Sequence, residues 1–270
     1  MIQRIDDISD PRLDDYRNLI DGERCAFIAE GRFVVRTLLT ASRFRARSVL
    51  VTDAALESLR DVLEAASAAV PTLPVLVLGQ AEMNRVVGFD IHRGCLAAGD
   101  RGERLTVEET VRKAFGRPIV ILEGVNNHDN IGSIFRNAGA FGVGGVVMDR
   151  GCVDPLYRKA IRVSMGGTLR VPFAHFGDEG WPERLASLRE AGYSVLALTP
   201  RLSAVNIHEF GASRPLPKRA AVMFGSEGVG LSEQALAAAD VHVRIPIVPG
   251  VDSLNVAAAA AIALHRLAPL

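Results

Sequence analysis

A chain of 270 residues, 49% hydrophobic and 23% charged, has enough apolar material for two ordinary domains or one large one, without disulfide or metal staples. Its 31 basic residues meet 31 acidic ones, which excludes a strongly polybasic protein and leaves a local nucleic-acid surface open. The longest apolar run, Val256 to Leu264, is too short to span a bilayer, so no membrane span is expected.

Met1 to Asp10 mixes charges with isolated Ile residues and lacks the apolar stretch of a secretory signal, which points to a cytoplasmic protein. The next hundred residues alternate helical and β-branched patterns. A helix is predicted from about Glu30 to Ala41, a strand at Ser48 to Val51, a helix across Ala54 to Ala69 and a strand at Val75 to Leu78. Residues 1–100 read as a small α/β domain. Polar, charged residues 101–116 read as a linker with a helical turn or two, and residues 117–270 as a second domain. There, strands are predicted at Ile119 to Leu122, Gly145 to Met148, Val171 to Phe176, Ser194 to Leu198, Ala220 to Phe224 and Val241 to Ile245. Helices are predicted at Ile131 to Phe141, Pro182 to Ala191, Glu233 to Ala239 and Leu254 to Leu267. That order implies a mostly parallel sheet with helices on both faces, whose ligands bind beyond the carboxyl ends of the strands. Cys25, Cys95 and Cys152 are odd in number and far apart, so they read as core fillers and neither a disulfide framework nor a metal cluster is expected.

Three strand-to-helix segments carry candidate chemistry. After Leu122 comes Glu123 to Arg136, in which Asp129 or Asn130 is a fitting N-cap and Arg136 follows Asn130 by six residues, a third of a turn out of alignment. After Phe224 come Gly225, Ser226, Glu227, Gly228, Val229, Gly230, Leu231 and Ser232. This loop exposes backbone groups and ends in a cap for the next helix, but it has no Lys after the last Gly and sets a carboxylate where a phosphate would sit. After Val243 comes a Pro-stiffened loop, Pro246 to Pro249, then Ser253 as a plausible cap before an Ala-rich helix. The glycines Gly139, Gly142, Gly144 and Gly145 follow a helix and precede a strand, the reverse of a dinucleotide fingerprint.

In order and spacing, Asn130-x-Gly132-x-x-x-Arg136, Gly225-Ser226-Glu227-Gly228-x-Gly230-Leu231-Ser232, and Ile245-Pro246-Ile247 with Ser253-Leu254-Asn255-Val256 resemble the three motifs of the SpoU/TrmH family of RNA 2′-O-ribose methyltransferases. Residues 24–98 look like the small L30e-like substrate-binding domain that precedes the catalytic domain in many members. The resemblance implies a SPOUT-type α/β fold with a mostly parallel sheet and a deep C-terminal trefoil knot, an exception to the usual absence of knots. It implies S-adenosyl-L-methionine as cofactor, held near Thr199, Gly225, Ile245 and Leu254, with Asn130, Arg136, Glu227, Ser253 and Asn255 lining the reaction site and no metal. It also implies a homodimer and an rRNA or tRNA substrate, with Arg136 activating or stabilising the attacking 2′-hydroxyl. A catalytically silent knotted RNA-binding protein is the alternative. Asn126 to Asp129 depart from the Asp-Pro pair that many members carry before the motif Asn. For RNA contact the candidates are Arg32, Arg36, Arg43, Arg45 and Arg47, a stretch with no acidic residue, and a second basic run in the catalytic domain with Arg158 and Arg162.

Overall fold

The computed structural model describes residues 2–17, 19 and 26–267; Cys25 lies outside them. In chain order the strands and α-helices are β1 (Ile2–Arg4), β2 (Ala26–Glu30), α1 (Arg32–Ala41), β3 (Ala46–Val51), α2 (Asp53–Ser58), α3 (Arg60–Ala69), β4 (Val75–Val77), α4 (Gln80–Val87), β5 (Cys95–Asp100), α5 (Val107–Ala114), β6 (Ile119–Leu122), α6 (His128–Ala140), β7 (Gly145–Met148), α7 (Arg158–Val163), α8 (Gly167–Arg170), β8 (Phe173–His175), α9 (Trp181–Arg184), α10 (Ala186–Glu190), β9 (Ser194–Leu198), β10 (Val205–Asn206), β11 (Ala220–Phe224), α11 (Glu233–Ala238), β12 (Val241–Arg244) and α12 (Val256–Leu267). They form two compact units. The first takes Met1–Glu103 and Leu156–Arg170, the second Arg104–Pro155 and Val171–Leu270.

The first unit holds a five-stranded mixed sheet in the order β1-β4-β3-β5-β2 among the described residues. Its register lines up Leu76, Leu50 and Leu96, so one face carries a row of leucines that closes over Tyr16, Met83 and Val87. The Tyr16 hydroxyl is buried in that core and bonds to Ser48 Oγ at 2.7 Å, accepting also from the Ala98 N–H, so its polar group is satisfied.

The second unit holds a seven-stranded sheet, β10-β12-β9-β11-β6-β7-β8, in which every pairing is parallel. Near-continuous apolar strands such as Ile119–Leu122 and Ala220–Phe224 fit a sheet buried on both faces. Register sets Ala197, Met223, Ile121 and Val147 side by side on one face, under Val111, Trp181, Leu188 and Leu236.

The boundary differs from the expected one. The helical turn or two expected in residues 101–116 is helix α5, Val107–Ala114, opened by a Thr106–Glu109 capping box, but its Val111 and Ala114 enter the second unit's core, so the segment is part of that unit. Gly144 and Gly145 explain the close fit: a Cβ at Gly144 would lie 2.6 Å from Ala114 Cα, and one at Gly145 2.5 Å from Thr110 Cγ2. These glycines let a helix approach β7; they are packing devices. A second difference is that Leu156–Arg170, with Arg158 and Arg162, belongs to the first unit and not to the second. Two predicted long helices are each broken in two: Ala54 to Ala69 by Leu59, and Pro182 to Ala191 by Leu185. No helix among the described residues is long and apolar enough to cross a membrane.

Candidate active site

Helix α6 is capped by Asn127, whose side-chain oxygen accepts from the Asp129 N–H at 2.8 Å, and not by Asp129 or Asn130. Moving the cap upstream places Asn130 inside the first turn, 7% exposed, with its side chain free for a distant partner. That partner is Asn255. Its Nδ2 donates to Asn130 Oδ1 at 2.9 Å and to Glu227 Oε1 at 2.7 Å. Its Oδ1 accepts from the Ala257 N–H at 2.9 Å and the Ala258 N–H at 3.2 Å, so Asn255, and not Ser253, caps α12. The helix N–H groups fix which way this amide faces, and so fix where its two donors point. Asn137, two turns after Asn130 on the same face of α6, donates to the Ala257 carbonyl at 2.9 Å.

The loop from Gly225 to Leu231 folds back on itself. Ser226 and Gly230 pair as an antiparallel bridge, and a Cβ at Gly225 would lie 2.1 Å from the Gly230 carbonyl carbon. Gly228 and Gly230 have φ of 89° and 74°, which L side chains rarely adopt. The loop's far end is pinned by Glu123, which sequence reasoning passed over. Glu123 accepts from the Ser232 N–H at 2.8 Å, the Ser232 hydroxyl at 2.7 Å and the Trp181 indole at 3.1 Å, while Ser232 Oγ in turn accepts from the Ala235 N–H as the cap of α11. The available signal was a carboxylate at the carboxyl end of an otherwise apolar strand.

Beside the Asn255 junction lies an open cavity of about 570 Å³ lined by Thr199, Gly225, Glu227, Ile245, Ser253, Leu254 and Asn255 among others. Strands β11, β9 and β12 are neighbours in the sheet, so the loops that follow them meet beyond its carboxyl edge, where parallel sheets bind ligands. Phe224, Leu231 and Leu236 give it an apolar floor. Two carboxylates face it: Glu233, ion-paired with Arg201, and Glu227, held by Asn255. Among the described residues no group of three His, Cys, Asp or Glu side chains is placed to hold a metal ion.

Residues 117–265 match the model of the SpoU rRNA Methylase family. The chain belongs to that family. It is therefore an RNA methyltransferase by class, of the SpoU/TrmH kind, as the motifs implied. An uncharacterised tRNA/rRNA methyltransferase of Mycobacterium tuberculosis is 44% identical over 273 residues, covering 98% of this chain and 91% of the relative. A 23S rRNA (adenosine(1067)-2′-O)-methyltransferase of Streptomyces azureus is 32% identical over 149 residues, 55% of this chain and 53% of that protein. The fold is similar, at a TM-score of 0.79, to the crystal structure of an AdoMet-bound rRNA methyltransferase from Sinorhizobium meliloti, with 22% identity and coverage of 98% of this chain and 97% of that one.

Within this family member, Arg136 stands apart from the junction of Asn130, Asn255 and Glu227. It is exposed on α6 and makes no hydrogen bond or ion pair among the described residues. One cysteine is sealed in and a second is half-buried. Cys95 is fully buried and its thiol is pushed up to about 11 by desolvation; Cys152 is pushed up further by burial and by Asp149.

The arginines expected to meet RNA are partly neutralised by acids that folding brings to them. Arg36 pairs with Asp61 at 2.6 Å, and Arg47 with Asp100 at 2.9 Å and Asp15 at 3.4 Å. Arg43 is half-buried with its guanidinium 4.1 Å from the centre of the Phe44 ring, and burial pushes it down to about 10. Arg158 and Arg162 both reach Glu30, at 2.8 and 3.6 Å. Arg32 and Arg45 are exposed and make no ion pair among the described residues.

Proposed function

We propose that the chain transfers a methyl group from S-adenosyl-L-methionine to a ribose 2′-hydroxyl of rRNA or tRNA. The observation that carries this reading is the junction at Asn255, where one amide joins the first and second motif segments at the edge of the cavity while capping the helix that follows the third. The residues present fit the cofactor. An apolar floor suits an adenine ring, loop backbone groups offer directional hydrogen bonds, and the Glu227 carboxylate favours a positive sulfonium over a neutral thioether. Bound there, the cofactor supplies an electrophilic methyl group that needs no metal.

The chain's own residues then position and polarise. Asn255 holds Glu227 against the cavity, and Ser253 and Leu254 narrow it from the C-terminal side. Arg136 projects from the helix opened by Asn127 and is free to meet an incoming ribose or its phosphate. A guanidinium stays protonated at any ordinary pH, so its simplest role is to stabilise the developing alkoxide. The reading includes a homodimer, a cytoplasmic location, an L30e-like first unit that captures RNA, and a C-terminal trefoil knot. The sheet order β12-β9-β11-β6 and the packing of α12 against α6 support the last of these. The Streptomyces azureus relative, a 2′-O-methyltransferase, supports the ribose as the site of transfer.

Calorimetry with S-adenosylmethionine and its demethylated product is expected to show one site per chain, and single-turnover assays to show methylation of total RNA from cells lacking the gene. Binding of NADH or ATP with no binding of either cofactor form removes the reading. Cofactor binding without turnover on that RNA leaves the silent RNA-binding alternative in its place.

A further inference from the structure

The first unit shows an aromatic ring to solvent among guanidinium groups that neither its core nor the cavity uses. Phe33, in the first turn of α1, is 51% exposed. Helical spacing puts it one turn before Thr37 on the same row. Thr37 is buried against Gly166, where a Cβ would lie 3.1 Å from Thr37 Cγ2, so the segment that carries Arg162 runs beside this row. On the other side the strand leading into α1 ends in Glu30, 8% exposed, which gathers Arg158 and Arg162. The chain then turns at Gly31, φ 93°, and the Arg93 side chain lies across that glycine, with Cδ and Nη1 each 3.1 Å from where a Cβ would be. Arg32 and Arg93 are exposed and make no hydrogen bond or ion pair among the described residues.

Two guanidinium groups are thus tied down by Glu30, while Arg32, next to Phe33 in the chain, and Arg93, lying on Gly31, stay free near the exposed ring. A single exposed Phe is common and means little by itself. Unpaired guanidinium groups close by in the chain make it a poor site for an apolar protein surface, which would have to desolvate them, and a good one for a nucleotide, which brings a π-face and a phosphate together. A base-paired nucleotide presents phosphates and hides its faces, so the ring selects for an unpaired one. We infer that this surface binds an unpaired nucleotide of the substrate RNA, its base stacked on Phe33 and its flanking phosphates held by Arg32 and Arg93. Glu30 keeps Arg158 and Arg162 in place behind it. The inference rests on the reading of the chain as an RNA methyltransferase and adds to it the kind of RNA and the ring that reads it.

The test uses the full-length protein and two RNA probes, a single strand carrying 2-aminopurine and a blunt duplex of the same composition, titrated over a range of salt. Phe33→Ala is expected to weaken the single strand by about tenfold or more and to abolish the quenching of 2-aminopurine, with little effect on the duplex. Phe33→Trp restores both. Arg32→Gln and Arg93→Gln each lower the slope of log affinity against log salt by about one. Cofactor affinity measured on the same samples is expected to stay unchanged, which separates a lost contact from a lost fold. An unchanged single-strand affinity in Phe33→Ala overturns the inference, as does an equal loss on both probes or a change of oligomeric state in sedimentation in place of RNA affinity. Wild-type protein that binds neither probe overturns the RNA reading itself; wild-type binding with no Phe33 effect overturns this inference alone.

Discussion

Asn255 uses every donor and acceptor of one side-chain amide, two donated bonds to Glu227 and Asn130 and two accepted from the start of α12. Asn255→Asp keeps the helix cap but turns a carboxylate toward Glu227 and the Asn130 carbonyl oxygen. Cofactor affinity is expected to fall at least about tenfold, since like charges and facing lone pairs cost more than a lost hydrogen bond. Asn255→Ala should add the loss of the cap, about 1 kcal/mol, visible as a lower melting temperature. Arg136→Ala is expected to slow methyl transfer by about 100 to 1000-fold at saturating RNA and cofactor while cofactor affinity is kept, because the side chain makes no contact that the cavity depends on. Wild-type single-turnover rates in that variant would refute the proposed role. Arg136→Lys keeps the charge without the planar fork, so substantial residual activity favours charge stabilisation and near-complete loss favours bidentate geometry. The sealed Cys95 thiol gives a pH statement. Desolvation raises Cys95 in the folded chain, so its contribution to stability is full below the usual thiol range and is lost as pH rises from about 9 toward 11. A thiol reagent at pH 8 should leave Cys95 unmodified until denaturant is added; its prompt reaction in the native protein contradicts its burial.

At the scale of elements, the loop after β11 depends on closeness that only glycine permits. Gly225→Ala puts a methyl group into the backbone of Gly230, so the loop must open, and cofactor binding is expected to vanish in a chain that still folds. Glu123→Gln replaces one acceptor oxygen with an N–H₂ facing the Ser232 N–H, and is expected to raise KM for the cofactor with a smaller effect on kcat. Equal effects of Glu123→Gln on both constants would make Glu123 part of the chemistry itself. Helix α5 shows how the core packing of a short element can be missed. Its apolar positions Val107, Val111 and Ala114 follow helical spacing and Thr106 with Glu109 forms a capping box, but charged neighbours dilute the pattern over so short a span. The strands were easier to read. Ile119–Leu122, Gly145–Met148, Ser194–Leu198 and Ala220–Phe224 stand where alternating helix and strand signals put them, because a strand buried on both faces needs an apolar run bounded by turn residues.

At the scale of the whole molecule, the first unit is built from two separate pieces of chain. Deleting residues 1–103 removes the partners of Leu156, Ala160, Ile161 and Leu169, all buried, and leaves Arg158 without Glu30. Such a truncation is expected to keep cofactor affinity within about threefold, since the cavity lies wholly in the second unit, but to lose solubility unless those four positions are made polar. Loss of cofactor binding from a truncation that is soluble and folded contradicts the division.

By itself the sequence determined the main alternating elements of the second unit, its parallel α/β class and the three motif segments, two of which line the cavity. Apolar period, caps and turn residues act within a few positions of one another, so they are written locally. Tertiary structure alone decided who meets whom. Asn130 and Asn255 lie 125 positions apart and bond because the loops after β6 and β12 both return to the carboxyl edge of one sheet. The arginine stretch from Arg32 to Arg47 contains no acid, yet Asp61 and Asp100 reach Arg36 and Arg47 once α3 and β5 are packed. Leu156–Arg170 joined the first unit because its apolar residues and its arginines find Thr37 and Glu30 there, a match between surfaces that no window of neighbouring residues contains.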